Sequence, residues 1–195
     1  PTLTLAYGTD ASFYRLLPQL VLQLDTLDEV IFAIKTCYAC QIPMTFRAAG
    51  TSLSGQAQSD SVLITLTRRW RDYKVLNDGA QIWLQPGIIG AEANSILAPF
   101  GRKIGPDPGS INSCKIGGIV ANNASGMCCG TSQNSYRTIA GMTVVLADGT
   151  LLNTLDRDSV AAFKNSHAEM ISELMLLVNK CQVDDVLADK IRHKY

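Results

Sequence analysis

Apolar positions along this chain recur at two different periods, and the switches between them mark its elements. Gln19 to Leu24 is a short apolar run that predicts a buried strand. Leu27, Val30, Ile31, Ile34 and Tyr38 then recur at helical spacing, behind Thr26 as an N-cap with Glu29 three positions on, a capping box. Ile42-Pro43 ends that helix, and Met44-Thr45-Phe46 begins a second strand. Strand, helix and strand in so few residues predict a βαβ unit, a parallel pair joined by a right-handed crossover. Ser61 to Leu66 is a further apolar strand. Asn77-Asp78-Gly79 predicts a hairpin turn, with Gln81 to Gln85 as the returning strand. Gly90 to Phe100 carries a helical pattern through Ala91, Ala93, Ile96 and Leu97. Met142 to Leu146 and Thr150 to Leu155, joined by Ala147-Asp148-Gly149, predict a second hairpin. Helices are expected from Ser159 to Lys180 and from Asp185 to Arg192.

Two stretches obey neither period. Phe46 to Gln56 is a run of small residues and hydroxyls at the carboxyl end of the second strand, where ligands of parallel sheets bind. Small side chains let successive backbone N–H groups turn into one concavity, and the Ser and Thr hydroxyls add donors, as in a phosphate cradle. A polar loop without a ligand is the alternative. Gly50 and Gly55 have P-loop spacing, but Gln56-Ala57 replace the Lys and the Ser or Thr which that motif requires. Gly50-x-Ser52-x-x-Gly55 also lacks the middle glycine of the dinucleotide fingerprint. The second stretch runs through Gly105-Pro106-Asp107-Pro108-Gly109-Ser110 and then from Ile116 to Gly126. A stiff turn followed by almost no bulky side chains admits either a flat ligand or a tight internal packing joint. Asn122 and Asn123 offer amide donors and acceptors there.

Composition narrows the choice. Seventeen basic residues balance seventeen acidic ones among 195, so no net field favours nucleic acid or an anionic membrane. No apolar run approaches the ~18 residues of a transmembrane segment, and the amino terminus lacks a signal-peptide pattern, so a cytoplasmic protein is expected. The six cysteines are too sparse for a disulfide scaffold and are read as thiols. Cys37 and Cys40 share the last turn of the first helix, where the dipole disfavours a thiolate, so a structural role is expected there rather than a redox pair. Adjacent Cys128-Cys129 does not complete a zinc set, and no metal site is expected. Arg68-Arg69-Trp70-Arg71 reads as a surface cluster around one Trp, and His167 and His193 read as solvated helix residues.

Three motifs in order, Arg47-Ala48-Ala49-Gly50-Thr51-Ser52-Leu53-Ser54-Gly55, Pro106-Asp107-Pro108 with Ile116-Gly117-Gly118, and Ile139 to Gly149, resemble the signature of the FAD-linked oxidase family. That family, with its PCMH-type FAD-binding domain, includes vanillyl-alcohol oxidase, the glycolate oxidase flavin subunit and the D-lactate and D-2-hydroxyglutarate dehydrogenases. Asn123 to Thr131 and Ile191-Arg192-His193-Lys194 add a likeness to the long bacterial D-lactate dehydrogenase type, whose flavin part precedes an iron–sulfur part.

The resemblance implies an α+β domain of two lobes: a small βαβ lobe over 1–67, and a larger mixed lobe of antiparallel strands and helices over 68–195 that stops before its end. It implies FAD as cofactor. Arg47, Ala48, Ala49, Gly50, Thr51 and Ser52 would meet its pyrophosphate. Pro106, Asp107, Gly117, Gly118, Asn122, Asn123 and Gly126 would line a second wall, and Ile139 would meet the adenine end. Many relatives have Gly where this chain has Ala48 and Ser125. The implied activity is oxidation of a D-2-hydroxy acid such as lactate to the 2-keto acid, with electrons passing to an iron–sulfur part or a quinone. The full-length protein would be cytoplasmic or peripheral at the inner membrane. Another alcohol oxidised on the same fold, of glycolate or 2-hydroxyglutarate type, and a nucleotide-binding module without chemistry are the rivals. Catalytic groups are not identifiable in the chain.

Overall fold

The computed structural model describes residues 2–194, which fall into two compact units. The first holds the chain up to Ile139 together with Ala147–Thr150, and the second holds Ala140–Leu146 and the chain from Leu151 onward. The 67/68 lobe boundary expected from the sequence lies inside the first unit.

The first unit starts with a short helix, α1 (Thr2–Ala6), that the sequence pattern does not announce. Strand β1 (Leu20–Leu24), helix α2 (Leu27–Ala39), strand β2 (Met44–Arg47) and strand β3 (Val62–Leu66) follow. The capping box of α2 forms as expected: Glu29 N–H donates to Thr26 Oγ1 at 3.2 Å, and Thr26 N–H donates to Glu29 Oε2 at 3.2 Å. The helix buries Val30, Ala33, Ile34 and Cys37 along one face, so Cys37 is a core residue while Cys40 caps the exposed end.

The three strands are all parallel, in the order β1-β3-β2. This corrects the expected pairing of β1 with β2, because β3 lies between them. Val62-Leu63-Ile64 is apolar at every position, and Leu63 and Ile64 are completely buried. A strand apolar on both faces gains most at the centre of a parallel sheet, which leaves β2 at an edge. Residues 48–61 therefore connect an edge strand to the central one without a helix.

The rest of the first unit is mixed. Strands β4 (Tyr73–Leu76) and β5 (Gln81–Leu84) form the expected hairpin, with Asn77, Asp78 and Gly79 all in left-handed backbone at the turn. Helix α3 (Gly90–Leu97) runs into a 3-10 turn at Ala98–Phe100. Two short helices, α4 (Ile116–Ala121) and α5 (Ser135–Thr138), complete it. Trp70 is half-buried and donates its Nε1–H to Leu24 O at 3.1 Å, while Arg68 and Arg69 stay exposed.

In the second unit, β6 (Thr143–Val145) pairs antiparallel with β7 (Leu151–Asn153), the hairpin expected from the sequence. The single helix expected over 159–180 is two, α6 (Arg157–Ser166) and α7 (Ala168–Val183), followed by α8 (Asp185–Lys194). His167 marks the break, with φ −121° and ψ 31°. Ser166 Oγ bonds back to Ala162 O at 3.1 Å, a side-chain competitor for the helical carbonyls. The His167 ring stacks on Phe163 at 4.6 Å between centroids, so this histidine sits at a helix joint rather than within a helix. No helix among the described residues is long and apolar enough to cross a membrane.

Candidate functional site

The loop that leaves β2 is shaped from beneath. Arg47, the last residue of β2, turns its guanidinium toward the amino-terminal segment and donates from Nη1 to Thr9 O at 2.8 Å and Tyr7 O at 3.2 Å. It also lies 5.3 Å from the centroid of the Tyr7 ring, a cation–π distance. Gly50 rests on this guanidinium with φ +69°, and a Cβ there would come within 2.7 Å of Arg47 Nε. Only glycine accepts that backbone without strain, so Arg47 and Gly50 together fix the start of the loop. Gly50 O in turn accepts from Ala11 N–H at 2.9 Å.

The loop also carries donors. Among the described residues, the backbone N–H groups of Ala49, Gly50, Thr51, Ser52 and Leu53 have no acceptor, and neither does the Thr51 hydroxyl. Gly50 in this row is buried, Ala49, Thr51 and Ser52 are half-buried and Leu53 is exposed, so the row offers several backbone donors to one side chain or ligand acceptor. The Ser52 hydroxyl bonds to Gln56 Oε1 and accepts from Ser54 N–H at 3.2 Å, which closes the loop on itself.

The second wall reaches this loop at one point. Gly118, in the first turn of α4, comes so near Ala48 that a Cβ on it would stand 3.2 Å from the Ala48 Cβ. The neighbouring Gly117 faces another way: its N–H donates to Pro86 O at 3.0 Å, and a Cβ there would lie 2.9 Å from Pro86 Cβ. The two glycines of α4 thus pack against different partners, Gly117 on Pro86 and Gly118 on Ala48.

Buried Ser135 ties the wall to α5. Its hydroxyl donates to Ile119 O at 3.0 Å and Ala124 O at 2.9 Å, and Ile139 N–H donates to Ser135 O at 2.9 Å. Asn123 Oδ1 accepts from Tyr136 N–H at 3.0 Å, whereas Asn122 Nδ2 donates to Gly118 O at 3.0 Å, capping its own helix. Pro106 is buried, and Gly105 beside it would place a Cβ 2.7 Å from Gln133 O. The expected contact residues of α4, the proline turn and Ile139 are therefore one connected piece.

Asp107 braces the loop that follows. Its Oδ1 accepts from Cys129 N–H at 3.1 Å, and any Cβ on Gly126 would overlap the Asp107 carboxylate and carbonyl. Burial pushes the Asp107 carboxyl up, but the bonds from Cys129 and Cys128 and the nearby Lys103 charge outweigh it and hold its pKa below the usual value of 3.8. Lys115, just before α4, is lowered from its ordinary 10.5 by burial and then by the Arg71 charge.

Of the expected residues, Ala49 to Ser52 carry the free backbone donors, Gly118 meets Ala48 beside them, and Pro106, Asp107, Gly126, Asn123 and Ile139 belong to the connected piece around α4 and α5. Arg47, Gly117 and Asn122 are engaged with the protein itself. Ser135, Gln58 and Asp10 were not singled out in the sequence, since an isolated polar residue carries no periodic signal. All six cysteines are free thiols, and no group of three or more His, Cys, Asp or Glu gathers among the described residues.

A family model described as an FAD binding domain matches residues 18–155. The chain is 31% identical over 151 residues to the glycolate oxidase subunit GlcD of Escherichia coli (strain K12), covering 76% of this chain and 30% of that protein. It is 27% identical over 173 residues to a D-2-hydroxyglutarate dehydrogenase of Haemophilus influenzae, covering 87% of this chain and 17% of that protein. A D-lactate dehydrogenase [cytochrome] of Saccharomyces cerevisiae is 30% identical over 149 residues, covering 72% and 24%. The chain thus spans less than a third of the length of these relatives. Among solved structures, 6-hydroxy-D-nicotine oxidase of Arthrobacter nicotinovorans superposes with a TM-score of 0.66 at 16% identity, over 78% of this chain and 34% of that one. A chitooligosaccharide oxidase superposes with a TM-score of 0.63 at 20% identity, over 78% and 33%. The chain belongs to this FAD-binding family, its fold is the α+β PCMH-type fold, and its cofactor is FAD.

Proposed function

We propose that this family member is the FAD-holding part of a dehydrogenase that oxidises a 2-hydroxy acid to the corresponding 2-keto acid. The observation that carries the cofactor's placement is the row of N–H donors from Ala49 to Leu53, which suits an anionic diphosphate. Glycolate, 2-hydroxyglutarate and lactate, named in the relatives above, share one feature, a hydroxyl on the carbon beside a carboxylate. Nothing in their order sets D-lactate above the other two, so the substrate is taken as this class.

The flavin, when bound, supplies a two-electron acceptor for hydride from the hydroxyl-bearing carbon. The residues of this chain bind and orient it. Ala49 to Leu53 would hold the diphosphate by backbone donors. Gly118 keeps the second wall close to Ala48, while Asp107 and Ser135 keep that wall in shape. The base and the carboxylate-holding cations that such an oxidation needs are not assigned to residues of this chain. Electrons would leave to an iron–sulfur part or a quinone, in the cytoplasm or at the inner face of the membrane.

The test is the absorption spectrum of the purified full-length protein, followed by anaerobic addition of glycolate, D-lactate, L-lactate and D-2-hydroxyglutarate in turn. Flavin bands bleached by one of these acids support the reading. Absence of flavin bands after FAD is supplied, or bands that none of the acids bleaches, contradicts it.

A further inference from the structure

The segment before β1 lies beneath the donor loop and is joined to it by a half-buried polar cluster around Gln58. Asp10 Oδ1 accepts from Ser12 N–H at 2.8 Å, from the Ser12 hydroxyl at 2.5 Å and from Gln58 Nε2 at 2.9 Å. Gln58 Nε2 also donates to Tyr14 O at 2.7 Å. Gln58 is only 6% exposed, and it stands where the loop turns back toward β3. Arg47 reaches the same segment at Tyr7 and Thr9, and Ala11 N–H reaches Gly50 O. The Tyr14 ring lies beneath Gly55, where a Cβ would come within 2.8 Å of it. The loop is therefore held at its start, its middle and its end by six of the eight residues from Tyr7 to Tyr14.

Two buried oxygens in this cluster, Asp10 Oδ2 and Gln58 Oε1, have no donor among the described residues. The Gln58 amide nitrogen directs its donors to Asp10, Ser12 and Tyr14, so that the segment before β1 forms a strap under the loop.

We propose that Gln58, Asp10 and Ser12 are positioning residues for FAD: they lock Tyr7 to Tyr14 under the loop so that the N–H groups of Ala49 to Leu53 stay aimed at one point. The three act through their bonds to one another and to Tyr14. The proposal rests on the pyrophosphate reading of the loop. A preorganised donor row binds an anion more tightly than a mobile one, since the ordering cost is met on folding rather than on binding. Loosening the strap thus weakens the grip on the diphosphate and leaves the flavin ring's own contacts alone.

The experiment uses the full-length protein with Gln58→Met, which keeps the length of the side chain and removes its hydrogen bonds, and with Ser12→Ala as a milder cut in the same cluster. FAD affinity is read by flavin fluorescence, and the bound diphosphate by its 31P resonances. Gln58→Met is expected to weaken FAD about tenfold and Ser12→Ala about threefold, the scale of one or two hydrogen bonds. The 31P resonances of bound FAD should shift while the visible flavin bands keep their positions, a signature that general loss of stability does not give. FAD affinity within twofold of wild type together with unmoved 31P resonances in Ser12→Ala and in any folded Gln58→Met protein overturns the proposal. Wild-type protein that binds no FAD overturns the pyrophosphate reading itself, and the strap role falls with it.

Discussion

Gly118 of α4 faces Ala48 of the β2 loop across a gap that a single added methyl would close to 3.2 Å. This is where the two small-residue stretches of the sequence meet. The methyl group of Ala48 fits there in exchange for the side chain that position 118 lacks.

A double-mutant cycle tests that exchange. Gly118→Ala alone should cost about 1 kcal/mol through overpacking. In an Ala48→Gly background the same change should be neutral or stabilising, because alanine is the better helix former by up to about 1 kcal/mol. Urea denaturation of the four proteins measures it, and equal costs in both backgrounds would show that the two residues do not meet.

Gly50 should tolerate no side chain. With φ +69° and the Arg47 guanidinium 2.7 Å from the point where a methyl would stand, Gly50→Ala should lose about 1–2 kcal/mol of stability and weaken FAD binding as well. Thermal denaturation and FAD titration read the two effects. Full FAD affinity in Gly50→Ala would mean that the bend at 50 does not shape the donor loop.

Much of this arrangement was legible in the sequence, for identifiable reasons. The capping box at Thr26 and Glu29, the turn at Asn77-Asp78-Gly79 and the apolar run of β3 are local signals, and the structure contains them where they were read. Strand order is not local. The β1-β3-β2 order depends on which strand buries both faces, and Leu63 shows that only once the sheet is assembled. The break at His167 depends on Ser166 competing for helical carbonyls, which hydrophobic periodicity does not register. Within the two small-residue stretches, the sequence displays the glycines but not what each one meets. Gly117 faces Pro86 and Gly118 faces Ala48, one residue apart on the same short helix.

Acid should loosen the strap. Burial raises the Asp10 carboxyl, but the Ser12 hydroxyl and amide, the Gln58 amide and the Arg47 charge together lower its pKa beneath 3.8. A carboxylate lowered by folding contributes its full stabilisation above the ordinary value of 3.8 and loses it as pH falls through the lowered value. Wild-type stability should therefore drop below about pH 4, and Asp10→Asn should show a smaller drop between about pH 5 and pH 3. Denaturation curves at the two pH values decide this, and an unchanged drop would show that Asp10 takes no part in it.

The centre of the sheet should be the most sensitive place in the first unit. Leu63 is wholly buried in β3 between two parallel neighbours, and Leu63→Ala should cost about 2–5 kcal/mol. A loss below about 1 kcal/mol in urea denaturation would be inconsistent with β3 as the central strand.

The placement of FAD on the β2 loop is tested most directly by Ser52→Trp in the full-length protein, with FAD titrated by flavin fluorescence and folding checked by circular dichroism. Ser52 lies half-buried on the donor loop, so an indole there is expected to crowd the N–H groups of Ala49 to Leu53. The account predicts at least about a hundredfold loss of FAD affinity in a protein that still folds, the scale expected when several charge-assisted hydrogen bonds are lost together. Unchanged FAD affinity in folded Ser52→Trp protein would contradict it.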